Sequence, residues 1–325
     1  MPFSFHSHSG QFCSHATGKL EEVVLEAIRK GFRIYGLSEH MPRYEAKELY
    51  PEEVEVWFSK KRNTANLTVA DLYMTFTSFL VEARRLQVKY RAQITLVIGT
   101  EIEYITPTYL LRLQELRAAH RIDYVVGSLH HVGGVPIDYS RELYDQALAA
   151  SIGSESRDED LVRAALFERY FDEQCAMLEA VRPDVVAHFD LIRIFEPVKG
   201  MEVTEGVWRK MTRNADIVVG WVAPESHVGL EIFLYPLQFS DIKIPRLIPL
   251  LNLPQYIISR GGKLTLSDDS HGPADVGMHY AQLHDYLETM GIVTLYHLDY
   301  DDGKLVVKEL RDVRNDPFWA GIKDW

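Results

Sequence analysis

Leu20-Glu-Glu-Val-Val-Leu-Glu-Ala-Ile-Arg-Lys-Gly-Phe-Arg-Ile-Tyr-Gly-Leu-Ser-Glu-His40 decides how this chain folds. Leu20, Val23, Val24, Ala27 and Ile28 recur at the spacing of one helix face, so the first half is an amphipathic helix with one buried side. Gly31 suits its C-terminal cap, and residues 33–40 follow at once as an apolar strand closed by a histidine. The same unit recurs outward from there. Upstream, residues 3–8 form a strand-like run that carries His6 and His8. Downstream, Leu72, Phe76, Phe79, Leu80, Ala83 and Leu86 mark a long amphipathic helix before the run 95–103, which holds Glu101. Thr106-Pro107 opens the next helix, with proline tolerated in its first turn. The run 124–130 ends on His130, and Ser156-Arg-Asp-Glu159 reads as a capping box for a helix to about Val181. Further strands are expected at 184–188, 228–233, 263–267 and 293–298, with helices near 203–215, 245–260 and 273–290.

Strand alternating with helix implies parallel strands, and near-continuous apolar runs imply strands covered on both faces. Seven or eight such units favour a βα barrel over an open sheet. A doubly wound sheet would carry a Gly-rich phosphate loop after its first strand, and this sequence has none there. The polar stretch 151–160 reads as a surface connection, so residues 1–325 are expected to form a single domain.

Of the 325 residues, 46% are hydrophobic, enough for a large core. Lys plus Arg is 35 against 47 for Asp plus Glu, a net charge of −12 that argues against a nucleic-acid partner. Two cysteines give no disulfide framework and point to a reducing, cytoplasmic compartment. The N-terminus lacks the features of a signal peptide, and no run of 18 apolar residues offers a membrane span.

Most of the 13 histidines close strand-like runs. His6 and His8 stand two apart on a strand and share a face. His15, His40, His130 and His188 follow, with Glu101 and the pair Asp269 and His271. In a βα barrel the C-terminal ends of the strands meet at one mouth. Imidazole mixed with carboxylate suits zinc, iron or manganese better than magnesium or calcium. His120, His279, His284 and His297 read as helix-end, solvated or core residues. Cys13 reads as a small, partly buried turn residue and Cys175 as core.

This ordered set resembles the nine-ligand pattern of the polymerase and histidinol phosphatase (PHP) superfamily. The segments HSHSGQFCSH, LSEHMPR, GTEIEY, GSLHHVGGVPIDYS, VVAHFDLIR and LSDDSHGPADVG are similar to its monofunctional histidinol-phosphate phosphatases of fungal kind. The resemblance implies a distorted (β/α)7 barrel and three divalent transition metals. It places His6, His8, Glu101 and Asp269 on the first metal, Glu101, His130 and His188 on the second, and His15, His40 and His271 on the third. Two departures stand out. Six residues separate His8 from His15, one more than in some relatives, so that turn must bulge. Residues 228–235 carry Phe233 and Leu234 where the family has a polar pair, and about 232–260 is apolar and broken by prolines, so loop contacts there do not transfer.

The implied activity is hydrolysis of a small phosphate monoester, L-histidinol phosphate above all, in histidine biosynthesis. The resemblance makes Glu101 and Asp269 the catalytic carboxylates. Arg193, in HFDLIR, matches a phosphate-contacting position; Arg43 and His131 are further candidates for touching substrate. Against the phosphate role, Arg193 would simply pair with Glu196 at the surface. The acid for the leaving group is open between Asp268 and a metal-held water. The competing readings are a phosphodiesterase or nuclease on the same scaffold and a metal-binding protein without activity.

Overall fold

The computed structural model describes residues 3–54, 67–151, 158–195, 203–221, 229–232 and 253–322. In chain order the strands are β1 (Phe3–Ser4), β2 (Ile34–Leu37), β3 (Thr95–Ile102), β4 (Tyr124–Gly127), β5 (His131–Val132), β6 (Val135–Pro136), β7 (Val185–Val186), β8 (Gly229–Ile232), β9 (Leu264–Leu266), β10 (Thr294–Asp301) and β11 (Lys304–Arg311). The helices are α1 (Leu20–Arg29), α2 (Pro51–Val54), α3 (Val69–Tyr90), α4 (Tyr109–Ala119), α5 (Arg141–Ser151), α6 (Glu159–Val181), α7 (Glu205–Val219), α8 (Leu253–Ser259), α9 (Tyr280–Thr289) and α10 (Phe318–Gly321).

Seven strands form one parallel sheet in the order β1-β2-β3-β4-β7-β8-β9. The sheet curls until its edges meet. Ser7 bridges Ser270 in parallel, and His8 N donates to Ser270 O at 2.7 Å. Asp268 ties the same seam: it accepts from Ser4 Oγ at 2.7 Å, Tyr35 OH at 2.9 Å and Gly277 N at 2.7 Å. This is the distorted seven-stranded barrel that the strand-helix alternation and the resemblance imply.

Tyr124 fills the barrel interior and donates its hydroxyl to Phe5 O at 2.8 Å. Two glycines make room for it. A Cβ on Gly36 would lie 2.2 Å from the Tyr124 hydroxyl, and one on Gly99 would lie 2.4 Å from its ring. α1 buries Leu20, Val23, Val24 and Ala27 against this core, as its periodicity requires.

Three local expectations shift. The run 293–298 is a strand, but it leaves the barrel: β10 pairs antiparallel with β11 as a hairpin. Asp302 and Gly303 turn it at φ +46° and +76°, the left-handed pair of a tight hairpin turn. Asp-Gly at 302–303 carried that signal in the sequence. The cap of α6 is Asp158, which accepts from Asp160 N and Leu161 N; Ser156 lies outside the described residues. α4 begins at Tyr109, two residues beyond Pro107. Most of the proline-broken segment 232–260 also lies outside the described residues, with α8 at its end.

Candidate metal centre

Six of the seven parallel strands deliver a candidate ligand to the same mouth. His6 and His8 follow β1 and Glu101 lies within β3, while His40, His130, His188 and Asp269 come two or three residues after β2, β4, β7 and β9. His188 and Asp269 are held at φ +52° and +43°, a left-handed backbone that costs about 1–3 kcal/mol for such residues and concentrates at functional sites.

Glu101 is the hub. Its Oε1 lies 3.1 Å from His6 Nε2, 3.3 Å from His130 Nε2 and 3.2 Å from His188 Nε2. Its Oε2 lies 3.4 Å from His8 Nε2 and 2.9 Å from His40 Nδ1. Asp269 Oδ1 stands 3.4 Å from both His6 Nε2 and His8 Nε2. A second cluster adjoins the first. The His8 ring stacks on His40 at 4.2 Å and lies 4.7 Å from His271, while His15 is 5.3 Å from His40 and 5.0 Å from His271. All nine candidate ligands therefore converge.

The donor set fits divalent cations. His8 Nε2, both nitrogens of His40, both oxygens of Glu101 and Asp269 Oδ1 are buried without a well-formed hydrogen bond among the described residues. Two donors on one tetrahedral cation at about 2.0–2.1 Å stand roughly 3.3 Å apart, the spacing most of these pairs show. Electrostatics agree. Burial raises the Glu101 carboxyl, but His6, His130 and His40 overcome it and hold it well below the usual range. Burial likewise works against the charged form of Asp269, and His6 and His271 hold it down. Burial lowers His130, yet Glu101 and Asp138 lift it to about 9. Bound cations would balance these carboxylates with the imidazoles neutral.

Residues around the ligands hold them in place. Glu39 lies 3.4 Å from His8 Nδ1 and is itself anchored by Ser9 N at 2.8 Å and Ser9 Oγ at 2.9 Å. Glu52 meets His15 Nδ1 at 2.8 Å. Carboxylates behind ligating histidines fix ring orientation and raise basicity. Glu39 precedes a candidate ligand in sequence, but only the fold turns it onto His8; Glu52 had no signal at all. Asp138 also enters, through its charge on His130 and His188.

The remaining candidates are placed as follows. Arg193 is buried and donates from Nη1 to Asp190 Oδ2 at 2.8 Å; Glu196 lies outside the described residues. Arg43 is buried between Glu53 and Glu103, its guanidinium 4.8 Å over the Tyr50 ring. His131 begins the β5–β6 hairpin, 5.6 Å from Tyr50; burial, His130 and Arg43 push it down to about 3, so it is a neutral ring. Asp268 faces the seam and accepts from three donors there, and burial pushes its carboxyl up to about 6.

Residues 4–232 match the PHP domain family. The chain belongs to this family. It is 37% identical over 326 residues to a Schizosaccharomyces pombe protein named "Probable histidinol-phosphatase", covering 98% of this chain and 96% of that one. It is 29% identical over 354 residues to a histidinol-phosphatase of Saccharomyces cerevisiae, covering 98% and 99%. Among solved structures, a histidinol phosphate phosphatase of Lactococcus lactis, complexed with zinc, L-histidinol and phosphate, shares the fold with a TM-score of 0.60. That match covers 93% of this chain and 98% of the other at 15% identity, a likeness of fold alone. PHP membership accounts for the curled parallel barrel with its histidine-rich mouth.

Proposed function

We propose that this PHP protein is a divalent-metal-dependent phosphomonoesterase that hydrolyses L-histidinol phosphate to L-histidinol and phosphate. The observation that carries the reading is Glu101, a buried carboxylate facing five imidazoles from four strand ends. The full-length fungal relatives supply the substrate. A cytoplasmic enzyme of histidine biosynthesis is the reading that fits them.

Three cations would be held by the nine ligands: His6, His8, Glu101 and Asp269 would hold the first, Glu101, His130 and His188 the second, and His15, His40 and His271 the third. Bound cations supply Lewis acidity, lower the pKa of water and neutralise phosphate charge. The chain's own part is positioning. Glu101 keeps two subsets of imidazoles at a fixed spacing, and Glu39 and Glu52 hold His8 and His15 in the tautomers that leave Nε2 free to ligate. Arg193, braced by Asp190, is assigned to a phosphate oxygen. Arg43 stands second, because Glu53 and Glu103 already neutralise it. His131, a neutral ring on the β5–β6 hairpin, is assigned to the substrate's organic end.

The test is phosphate release by the purified, metal-replete protein on histidinol phosphate, other monoesters and a bis-ester. Histidinol phosphate should be the preferred substrate, and a strong chelator should abolish turnover. Preference for the bis-ester would replace this reading with a phosphodiesterase. Full metal content with no turnover on any ester would leave a metal-binding protein without activity.

A further inference from the structure

The turn at residues 9–15 carries a sulfur donor beside the outer part of the mouth. Ser9 O accepts from Phe12 N at 3.0 Å and from Cys13 N at 2.9 Å, which winds the turn tightly and buries Cys13. Cys13 Sγ then stands 3.2 Å from His15 Nε2. Glu52 occupies the other nitrogen of that ring, so Nε2 is the face that His15 offers to the sulfur. His40 completes the group: donor atoms of Cys13, His15 and His40 all lie within 4.8 Å of one another. His40 Nδ1 faces Glu101, and its Nε2 is buried without a hydrogen bond among the described residues.

We infer that Cys13 is a fourth protein donor to the outermost cation, joining His15, His40 and His271 in a sulfur-and-nitrogen shell. This rests on the metal-centre reading above but goes beyond the nine-ligand pattern, which contains no sulfur. Donors at about 2.3 Å (sulfur) and 2.0–2.1 Å (nitrogen) from a tetrahedral ion stand roughly 3.5 Å apart, within a few tenths of the spacing here. A thiolate is a soft ligand, so it biases this position toward zinc and away from manganese and magnesium. On binding, the thiol proton leaves to solvent and no electron is transferred.

The experiment replaces the native metal with cobalt(II) and reads the near-ultraviolet thiolate-to-cobalt charge-transfer band. The chain has only two cysteines, and Cys175 lies on α6, so the source of a band is unambiguous. Wild type and Cys175→Ser should show it, and Cys13→Ser should lose it. Zinc-loaded wild type should show one sulfur scatterer at about 2.3 Å by X-ray absorption, a measurement that needs no variant. Cys13→Ser should also retain about one zinc fewer per chain after dialysis against manganese. Full metal loading with no charge-transfer band and no sulfur scatterer would overturn this inference and leave the nine-ligand centre standing. Failure to bind metal at all would sink both.

Discussion

The two ends of the barrel bury carboxylates in opposite company. At the start of β4, Asp123 receives Arg84 through two bonds of 2.8 Å, Ile98 N at 3.1 Å and Tyr300 OH at 2.6 Å. At the start of β7, Asp184 accepts from Val125 N at 2.8 Å and Arg117 Nη2 at 3.3 Å. At the opposite end, the Glu101 carboxylate faces five imidazoles and makes no well-formed hydrogen bond among the described residues. The difference lies in the donors. Backbone N–H and guanidinium groups close a carboxylate and leave nothing over. Imidazole nitrogens can give up their protons and turn lone pairs toward a cation. A buried charge that closes on itself is structure, and one left open among titratable rings is a site.

The largest effect should come from the hub. Glu101→Gln should lower bound metal and turnover by orders of magnitude while the chain stays folded, as elemental analysis, kinetics and circular dichroism would show. Glu103→Gln should be milder, since Glu103 mainly balances Arg43. If Glu103→Gln lost more metal than Glu101→Gln, the hub would be wrongly placed.

Next in size is Arg193→Ala, which should cost roughly 10²–10³ in kcat/KM at unchanged metal content, with Lys restoring only part. A loss smaller than about threefold would move the phosphate contact to Arg43.

The other end should behave in reverse. Asp123→Ala should cost about 3 kcal/mol in urea denaturation, because it removes the acceptor that Arg84, Ile98 N and Tyr300 OH share, yet leave metal per folded chain intact. Loss of metal from that variant would erase the distinction between the two ends.

An effect of comparable size, spread over about two pH units, is a pH slope. Burial pushes Asp184 from its ordinary 3.8 to about 6, against the opposing pull of Arg117. A carboxyl raised on folding favours the folded state while protonated. Its contribution is therefore full below about 3.8 and is lost as pH rises through about 6. Wild type should lose up to about 3 kcal/mol relative to Asp184→Asn across that window. Metal-stripped samples of both proteins, compared at each pH, isolate the difference. A flat difference would mean that Arg117 and Val125 N stabilise the ionised form fully.

The sheet was legible because its signals are local. Apolar runs, helix periodicity and the Gly31 cap each need only a few neighbouring residues, and the mouth followed from parallel strands ending together. The failures were non-local or depended on sub-ångström choices. The 293–298 run has strand composition whether it joins the barrel or folds back on β11, and only pairing decides. Asp268 and Asp269 are the same residue type side by side, yet one closes the β1–β9 seam and the other faces His6 and His8.

By itself, then, the sequence determined the alternation of strand and helix, the residue types at each strand end and their order along the chain. These depend on backbone period and side-chain chemistry, which are properties of short stretches. Only the tertiary structure decided which lone pairs remain open. Glu39 behind His8, Glu52 behind His15, Cys13 beside His15 and Arg84 across Asp123 are meetings set by the curl of the sheet and the turns that cross its mouth. Three of those four contacts join residues more than 30 positions apart, and hydrogen bonding and ligation act over about 3 Å, a scale at which no spacing rule operates.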